Sequence, residues 1–135
     1  MKKKAVIIGF SHMHVNEVAL YLSEQPDFDL VAAAPVKSAA ETIPPLRYTP
    51  EWNKQNIADN YCSVIYDDYK KMLDEVKPDI AFILTENGQK AAGVENCARR
   101  GVDVCIEKPM ADTLENAKKI KESVEKYSIK AVVNW

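Results

Sequence analysis

Residues 5–22, AVIIGFSHMHVNEVALYL, change character twice. Ala5–Phe10 is a continuous β-favouring run that carries Gly9 near its end, as in a strand buried on both faces. After a short polar turn, Val15, Val18, Ala19 and Leu22 fall at i, i+3, i+4 and i+7, one apolar stripe of a helix. Pro26 closes that helix. Strand, glycine turn and helix in this order are the first half of a βαβ unit.

The same alternation continues along the chain. Phe28–Ala34 reads as a second strand, and the segment 35–50, with Pro44-Pro45, as a loop with a short helical turn near Ser38–Glu41. Glu51–Ala58 is a short helix and Cys62–Tyr66 a short strand. Asp67 and Asp68 offer N-cap oxygens to a helix with Tyr69, Met72, Leu73 and Val76 on its inner face, left at Pro78. Ile80–Leu84 is the clearest buried strand. A helix over 89–100 ends at Gly101, a left-handed C-cap candidate. Val102–Ile106 is the next strand. Asp112-Thr-Leu-Glu115 reads as a capping box opening a long helix with Ala117, Ile120, Val124 and Tyr127 inward, and Ile129–Val133 is the last strand. Strands apolar on both faces alternating with helices imply a single-domain, doubly wound parallel α/β sheet of Rossmann-like type.

Composition agrees and excludes other classes. The 135 residues carry 18 Lys+Arg against 20 Asp+Glu, so a basic nucleic-acid or anionic-membrane binder is excluded. A hydrophobic share of 47% with 4 Gly and 7 Pro excludes collagen-like and disordered chains. Cys62, Cys97 and Cys105 form no C-x-x-C pair, and Cys105 is expected as a small core residue. Three unpaired thiols, with no signal peptide or membrane-length run, point to a cytoplasmic protein.

In a doubly wound sheet, ligands bind beyond the carboxyl ends of the strands where strand order reverses. The first turn, Gly9-Phe10-Ser11-His12-Met13-His14, presents a helix N-terminus to which a phosphate can bind. Ser11 and His14 replace the second and third glycines of a dinucleotide fingerprint, and a Ser N-cap followed by two exposed histidines is an equally good reading. Imidazoles at i, i+2 on a helix start do not face one another, and no carboxylate or thiol cluster adjoins them in sequence, so no metal site is expected. After the second strand stand Ala34-Pro-Val-Lys37, with no acid to accept ribose hydroxyls. Lys37, with Arg47, could read a 2′-phosphate, or it is simply a solvated lysine. Glu107-Lys108-Pro109 follows a buried strand directly, so Lys108 can hydrogen-bond a substrate oxygen at the sheet edge, and Pro109 biases it toward extended geometry.

With these residues assembled, the chain resembles the glucose–fructose oxidoreductase / inositol dehydrogenase / MocA family of NAD(P)-dependent oxidoreductases, over its whole length, as that family's N-terminal nucleotide domain. The resemblance is carried by Ala5–Gly9, Leu30–Pro35, the segment 79–87 with Thr85-x-Asn87, the segment 101–109 followed by Met110-Ala111, and Val132-Val-Asn-Trp135. It implies NAD or NADP as cofactor, Thr85 and Asn87 along it, Glu107 near the nicotinamide ribose, and Lys108 beside the nicotinamide and the substrate hydroxyl. It implies hydride transfer to or from a secondary alcohol of a sugar- or cyclitol-like small molecule. The departures are the degenerate glycine turn, the missing acid, Glu86 where Pro is usual, and Lys90 where the family often has His. The family's second domain, with its catalytic Asp/His pair, is absent from this chain, which is then expected to be catalytically incomplete and to self-associate as a homo-oligomer. A non-catalytic nucleotide or coenzyme A module and an interaction protein are the alternatives.

Overall fold

The computed structural model describes residues 1–37, 46–62 and 64–135. In chain order these form β1 (Lys3–Ile8), α1 (Val15–Glu24), β2 (Phe28–Ala34), α2 (Pro50–Asn60), α3 (Tyr69–Val76) and β3 (Ile80–Ile83). A 3₁₀ turn over Asn87–Gln89 leads into α4 (Lys90–Ala98), followed by β4 (Asp103–Glu107), α5 (Leu114–Tyr127) and β5 (Ala131–Asn134). The five strands are parallel and ordered β2-β1-β3-β4-β5. This is the Rossmann-like α/β sheet expected from the alternation of patterns.

Alternate residues of each strand serve opposite faces. Val6, Ile8, Ala32, Ala34, Ala81, Ile83, Val104 and Ile106 pack with Met72 and Leu73 of α3, Val94, Cys97 and Ala98 of α4, and Ile120 of α5. Ile7 and Ala33 face the other way, toward Val15 and Ala19 of α1 and Ile57 of α2. Each fully buried aliphatic side chain stabilises the fold by roughly 1.5–3 kcal/mol, so these two clusters hold the layers together. The second face is incompletely covered. A cleft of about 460 Å³ opens between α1 and the sheet, lined by Val18, Tyr21, Phe82 and Cys105 among others. Cys105, expected in the core, is half-buried there, because its strand position points to the uncovered face.

Local signals mark several boundaries well. Asp68 caps α3 by accepting from the Lys70 amide at 2.8 Å, and Lys77 leaves that helix in the left-handed region before Pro78. Gly101, at φ +69°, ends the turn after α4. The capping box is displaced by one residue: Thr113, not Asp112, caps α5, accepting from the Asn116 amide at 3.1 Å. Asp112 instead accepts from the Asn116 side chain, and Glu115 pairs with Lys119. The Cys62–Tyr66 strand is not formed among the described residues. Only a single bridge joins Ile65 to Ala33, with Tyr66 donating to the Ala33 carbonyl at the outer edge of β2. The helical turn expected near Ser38–Glu41 lies outside the described residues. No helix among them is long and apolar enough to cross a membrane.

Candidate functional site at the carboxyl edge of the sheet

Strand order reverses at β1, which has β2 on one side and β3 on the other. The connections leaving β1 and β3 therefore diverge above the sheet and open a crevice at its carboxyl edge. Gly9 makes the exit from β1 possible. Its φ is +90°, and a Cβ there would stand 2.7 Å from Cγ2 of Thr85 and 2.9 Å from the Thr85 amide nitrogen. Thr85 is thus buried beneath the turn and supports it. The Ser11 amide donates to the Leu84 carbonyl at 3.2 Å, tying the turn to the end of β3. Ser11 is not the helix cap. His14 holds that position, without a side-chain capping bond.

Phe10 is buried in the α1–α2 cluster, and its carbonyl accepts from Asn53 Nδ2 at 2.9 Å. Asn53 is itself fully buried, donates to the Tyr48 carbonyl at 3.2 Å, and accepts from Asn16 Nδ2 at 2.8 Å. Asn16 accepts in turn from Asn56. This asparagine network locks α2 onto α1 and onto the turn after Gly9. Sequence reading missed it. The only trace is that Asn53 and Ile57, four apart, share the buried face of an otherwise polar helix.

Parallel register brings Glu107 at the end of β4 beside Asn134 of β5, and Asn134 Nδ2 donates to Glu107 Oε2 at 3.2 Å. The other carboxylate oxygen, Oε1, is 3.2 Å from Nδ1 of His14. A carboxylate only accepts, so His14 Nδ1 carries the proton in this pair. Glu107 is 2% exposed, whereas Lys108 and Pro109 are exposed at the rim, joined by a cis peptide. Beneath this loop lies Lys90, 1% exposed, whose ammonium donates to the carbonyls of Glu107 at 2.6 Å and Pro109 at 2.7 Å and to Asn87 Oδ1 at 3.0 Å. All three of its N–H bonds are spent. Burial lowers the pKa of Lys90 and the Glu107 charge opposes that. The exposed Asn87, expected along a ligand, accepts from Lys90 through its side-chain oxygen. Lys37 is exposed, and its carbonyl accepts from Gln89 Nε2 at 2.7 Å, closing the loop after β2 against the one after β3. Arg47 stacks over Tyr48 and Trp52.

The two histidines overturn the spacing argument. They precede α1 rather than ride on it, so helical geometry does not separate them. Their ring centroids are 4.3 Å apart, and the His14 amide donates to His12 Nδ1 at 3.2 Å. With Glu107, brought from 93 residues away, they offer ligand atoms all within 4.8 Å of one another. Burial lowers the His12 pKa most, Glu107 raises it, and His14, Lys108 and Lys90 lower it further. The charged groups of the Glu-Lys-Pro loop therefore act on the turn after Gly9 across one crevice.

A dinucleotide fits part of this arrangement. The left-handed Gly9 turn, the start of α1 and the exposed Lys108 border the crevice, but the Ser11 and His14 amides are already engaged within the chain.

A family model described as an oxidoreductase family with an NAD-binding Rossmann fold, Gfo/Idh/MocA, matches residues 3–135. No curated protein matches the chain. Among solved structures, an oxidoreductase from Agrobacterium radiobacter in complex with NAD+, L-tartaric acid and magnesium is similar at 19% identity with a TM-score of 0.80, over 99% of this chain and 35% of that one. The WlbA dehydrogenase from Chromobacterium violaceum, in complex with NADH and UDP-GlcNAcA, is 16% identical at TM-score 0.80, over 98% and 35% of the two chains. A myo-inositol 2-dehydrogenase from Lactobacillus plantarum is 19% identical at TM-score 0.71, over 98% and 36%. The chain thus spans about a third of the length of these structures. By the match over residues 3–135, it belongs to the Gfo/Idh/MocA oxidoreductase family, of which it carries the NAD-binding Rossmann fold.

Proposed function

We propose that residues 1–135 are the nucleotide domain of an NAD(P)-dependent oxidoreductase that acts on a secondary alcohol of a sugar- or cyclitol-like molecule. The observation that carries this reading is the 3.2 Å contact of His14 with Glu107, which joins the glycine turn to the Glu-Lys-Pro loop in one crevice. NAD(P), when bound, supplies the hydride acceptor or donor. The start of α1 would hold its phosphates, with Gly9 and Ser11 in the turn and Lys37 beside the ribose end. Lys108, exposed at the rim, would hydrogen-bond the reacting hydroxyl and steady negative charge on its oxygen. Lys90, through the carbonyls of Glu107 and Pro109, holds Lys108 at that height. The base that takes the hydroxyl proton comes, in this reading, from outside these residues, so the chain alone binds cofactor without turnover. The open cleft beside Phe82 and Cys105 supports the self-association expected from sequence, which sedimentation tests.

Calorimetric titration with NADH and NADPH tests the cofactor. The expected result is weak saturable binding of both, slightly tighter for NADPH, with the difference abolished in Lys37→Ala. No heat from either at millimolar cofactor overturns it. The engagement of the Ser11 and His14 amides favours a second reading, a nucleotide or coenzyme A module without hydride chemistry. Coenzyme A binding more tightly than either dinucleotide would select that reading.

A further inference from the structure

We infer that His12, His14 and Glu107 form a binding site for a divalent transition-metal ion of the zinc type. Two imidazoles and a carboxylate are a recurrent protein ligand set for zinc, one that leaves a fourth position open to water or substrate. The candidate ligand atoms lie within 4.8 Å of one another, and the His14 Nδ1 to Glu107 Oε1 pair is already at 3.2 Å. Ligands ~2.0–2.1 Å from a tetrahedral zinc stand about 3.4 Å apart, so the His14–Glu107 edge needs no movement and His12 must close by at most about 1.4 Å from the 4.8 Å limit. His12 and His14 are only part-buried, so rotation of the His12 ring does not disturb the core.

Several features outside the three ligands support the assignment. Glu107 is a carboxylate 2% exposed whose side-chain contacts among the described residues are an imidazole and an amide, with no salt bridge to a lysine or arginine. Asn134 fixes its second oxygen, the kind of outer contact that orients a ligating carboxylate. The ion takes the place of the proton between His14 Nδ1 and Glu107 Oε1, and the neutral imidazole then binds as its other tautomer, with that proton carried on Nε2. Two cations oppose the added charge: Lys90, whose ammonium is already bound to the Glu107 and Pro109 carbonyls and to Asn87 Oδ1, and Lys108, which is exposed to water that screens it. Imidazole donors favour zinc, cobalt or copper over magnesium, which prefers oxygen ligands. The inference does not depend on dinucleotide binding.

The test is a titration of the full chain with cobalt(II), as a spectroscopic stand-in for zinc, with no dinucleotide present. We expect one equivalent to bind with the intense visible absorption of a low-symmetry site, zinc to displace it, and magnesium to leave it unchanged. His12→Ala and His14→Ala, each checked for native circular dichroism, should weaken binding at least tenfold, and Glu107→Gln should do the same. Absence of a one-equivalent site, equal affinity in the histidine variants, or thiolate-to-cobalt charge-transfer absorption from a cysteine site overturns the assignment. None of these outcomes bears on the NADH titration, so the two proposals fail separately.

Discussion

The ammonium of Lys90 lies 2.6 Å from the carbonyl oxygen of Glu107, inside the molecule and directly under the loop that lifts Lys108 to the surface. One buried lysine thus holds the first residue of α4, the end of β4 and the bend at Pro109 together. Lys90→Met keeps much of the volume but strands the Glu107 and Pro109 carbonyls. We expect a loss of roughly 3 kcal/mol: each hydrogen bond from a charged donor contributes about 1.5–3 kcal/mol, and relief of the buried ammonium's desolvation offsets part of the sum of three. Urea unfolding of the two proteins measures it. A change below half that size would mean the three bonds contribute little.

Gly9 and Gly101 both have positive φ, at +90° and +69°, but only Gly9 is crowded. Gly101→Ala, with nothing within 4 Å of the new Cβ, should cost only the left-handed penalty of about 1–2 kcal/mol. Gly9→Ala adds a clash with Thr85 and should cost at least twice as much, with Thr85→Ser restoring part of it by removing Cγ2. Backbone atoms of Leu84 and Thr85 at 3.0 and 2.9 Å keep the rescue incomplete. Thermal denaturation of the four proteins gives the ranking.

Asn53→Ala removes two donors and one acceptor from a fully buried position. The buried Phe10 carbonyl loses its side-chain donor, at about 1–3 kcal/mol for a buried group left unsatisfied, while the half-buried Asn16 amide keeps the Met13 carbonyl. Proteolysis should accelerate first in α2, because that helix loses its anchor to the glycine turn before the sheet does. Uniform acceleration across the chain would contradict this order.

His12 sets a pH dependence in the acid range. Burial holds its folded pKa below the ordinary 6.5, so between that lowered value and 6.5 the unfolded chain binds more protons than the folded one. Stability from this site is therefore present above pH 6.5 and is lost as pH falls through the window, partly offset by Glu107. The wild type should lose more stability than His12→Gln on acidification from pH 7 to pH 5. Parallel curves would remove His12 as the cause. Cys97 acts at the other end: with its thiol pushed up to about 12 from 9.0, stability should fall as pH rises above 9.

Most of the architecture is written locally. Apolar residues repeat with a strand's continuity in Ala5–Phe10 and Ile80–Leu84 and with a helix's period from Val15 and from Tyr69, and these patterns need no distant partner to be read. Two boundary readings failed where alternatives were nearly equal. Thr113 outcompeted Asp112 as cap because its hydroxyl reaches the Asn116 amide. The Cys62–Tyr66 segment is β-favouring in composition, but among the described residues it meets the sheet only at its edge, through a single bridge from Ile65 to Ala33.

Sequence alone established the strand–helix alternation, the parallel sheet, the place where its edge opens, and Glu107-Lys108-Pro109 as the segment facing that edge. Those features depend on spacing between residues a few positions apart. Only the tertiary structure decided that Glu107 turns inward to His14 and Asn134, that Lys90 is buried beneath it, and that His12 and His14 meet a carboxylate. Strand order and register set those meetings, bringing together residues as much as 93 positions apart whose individual letters carry no mark of the partner.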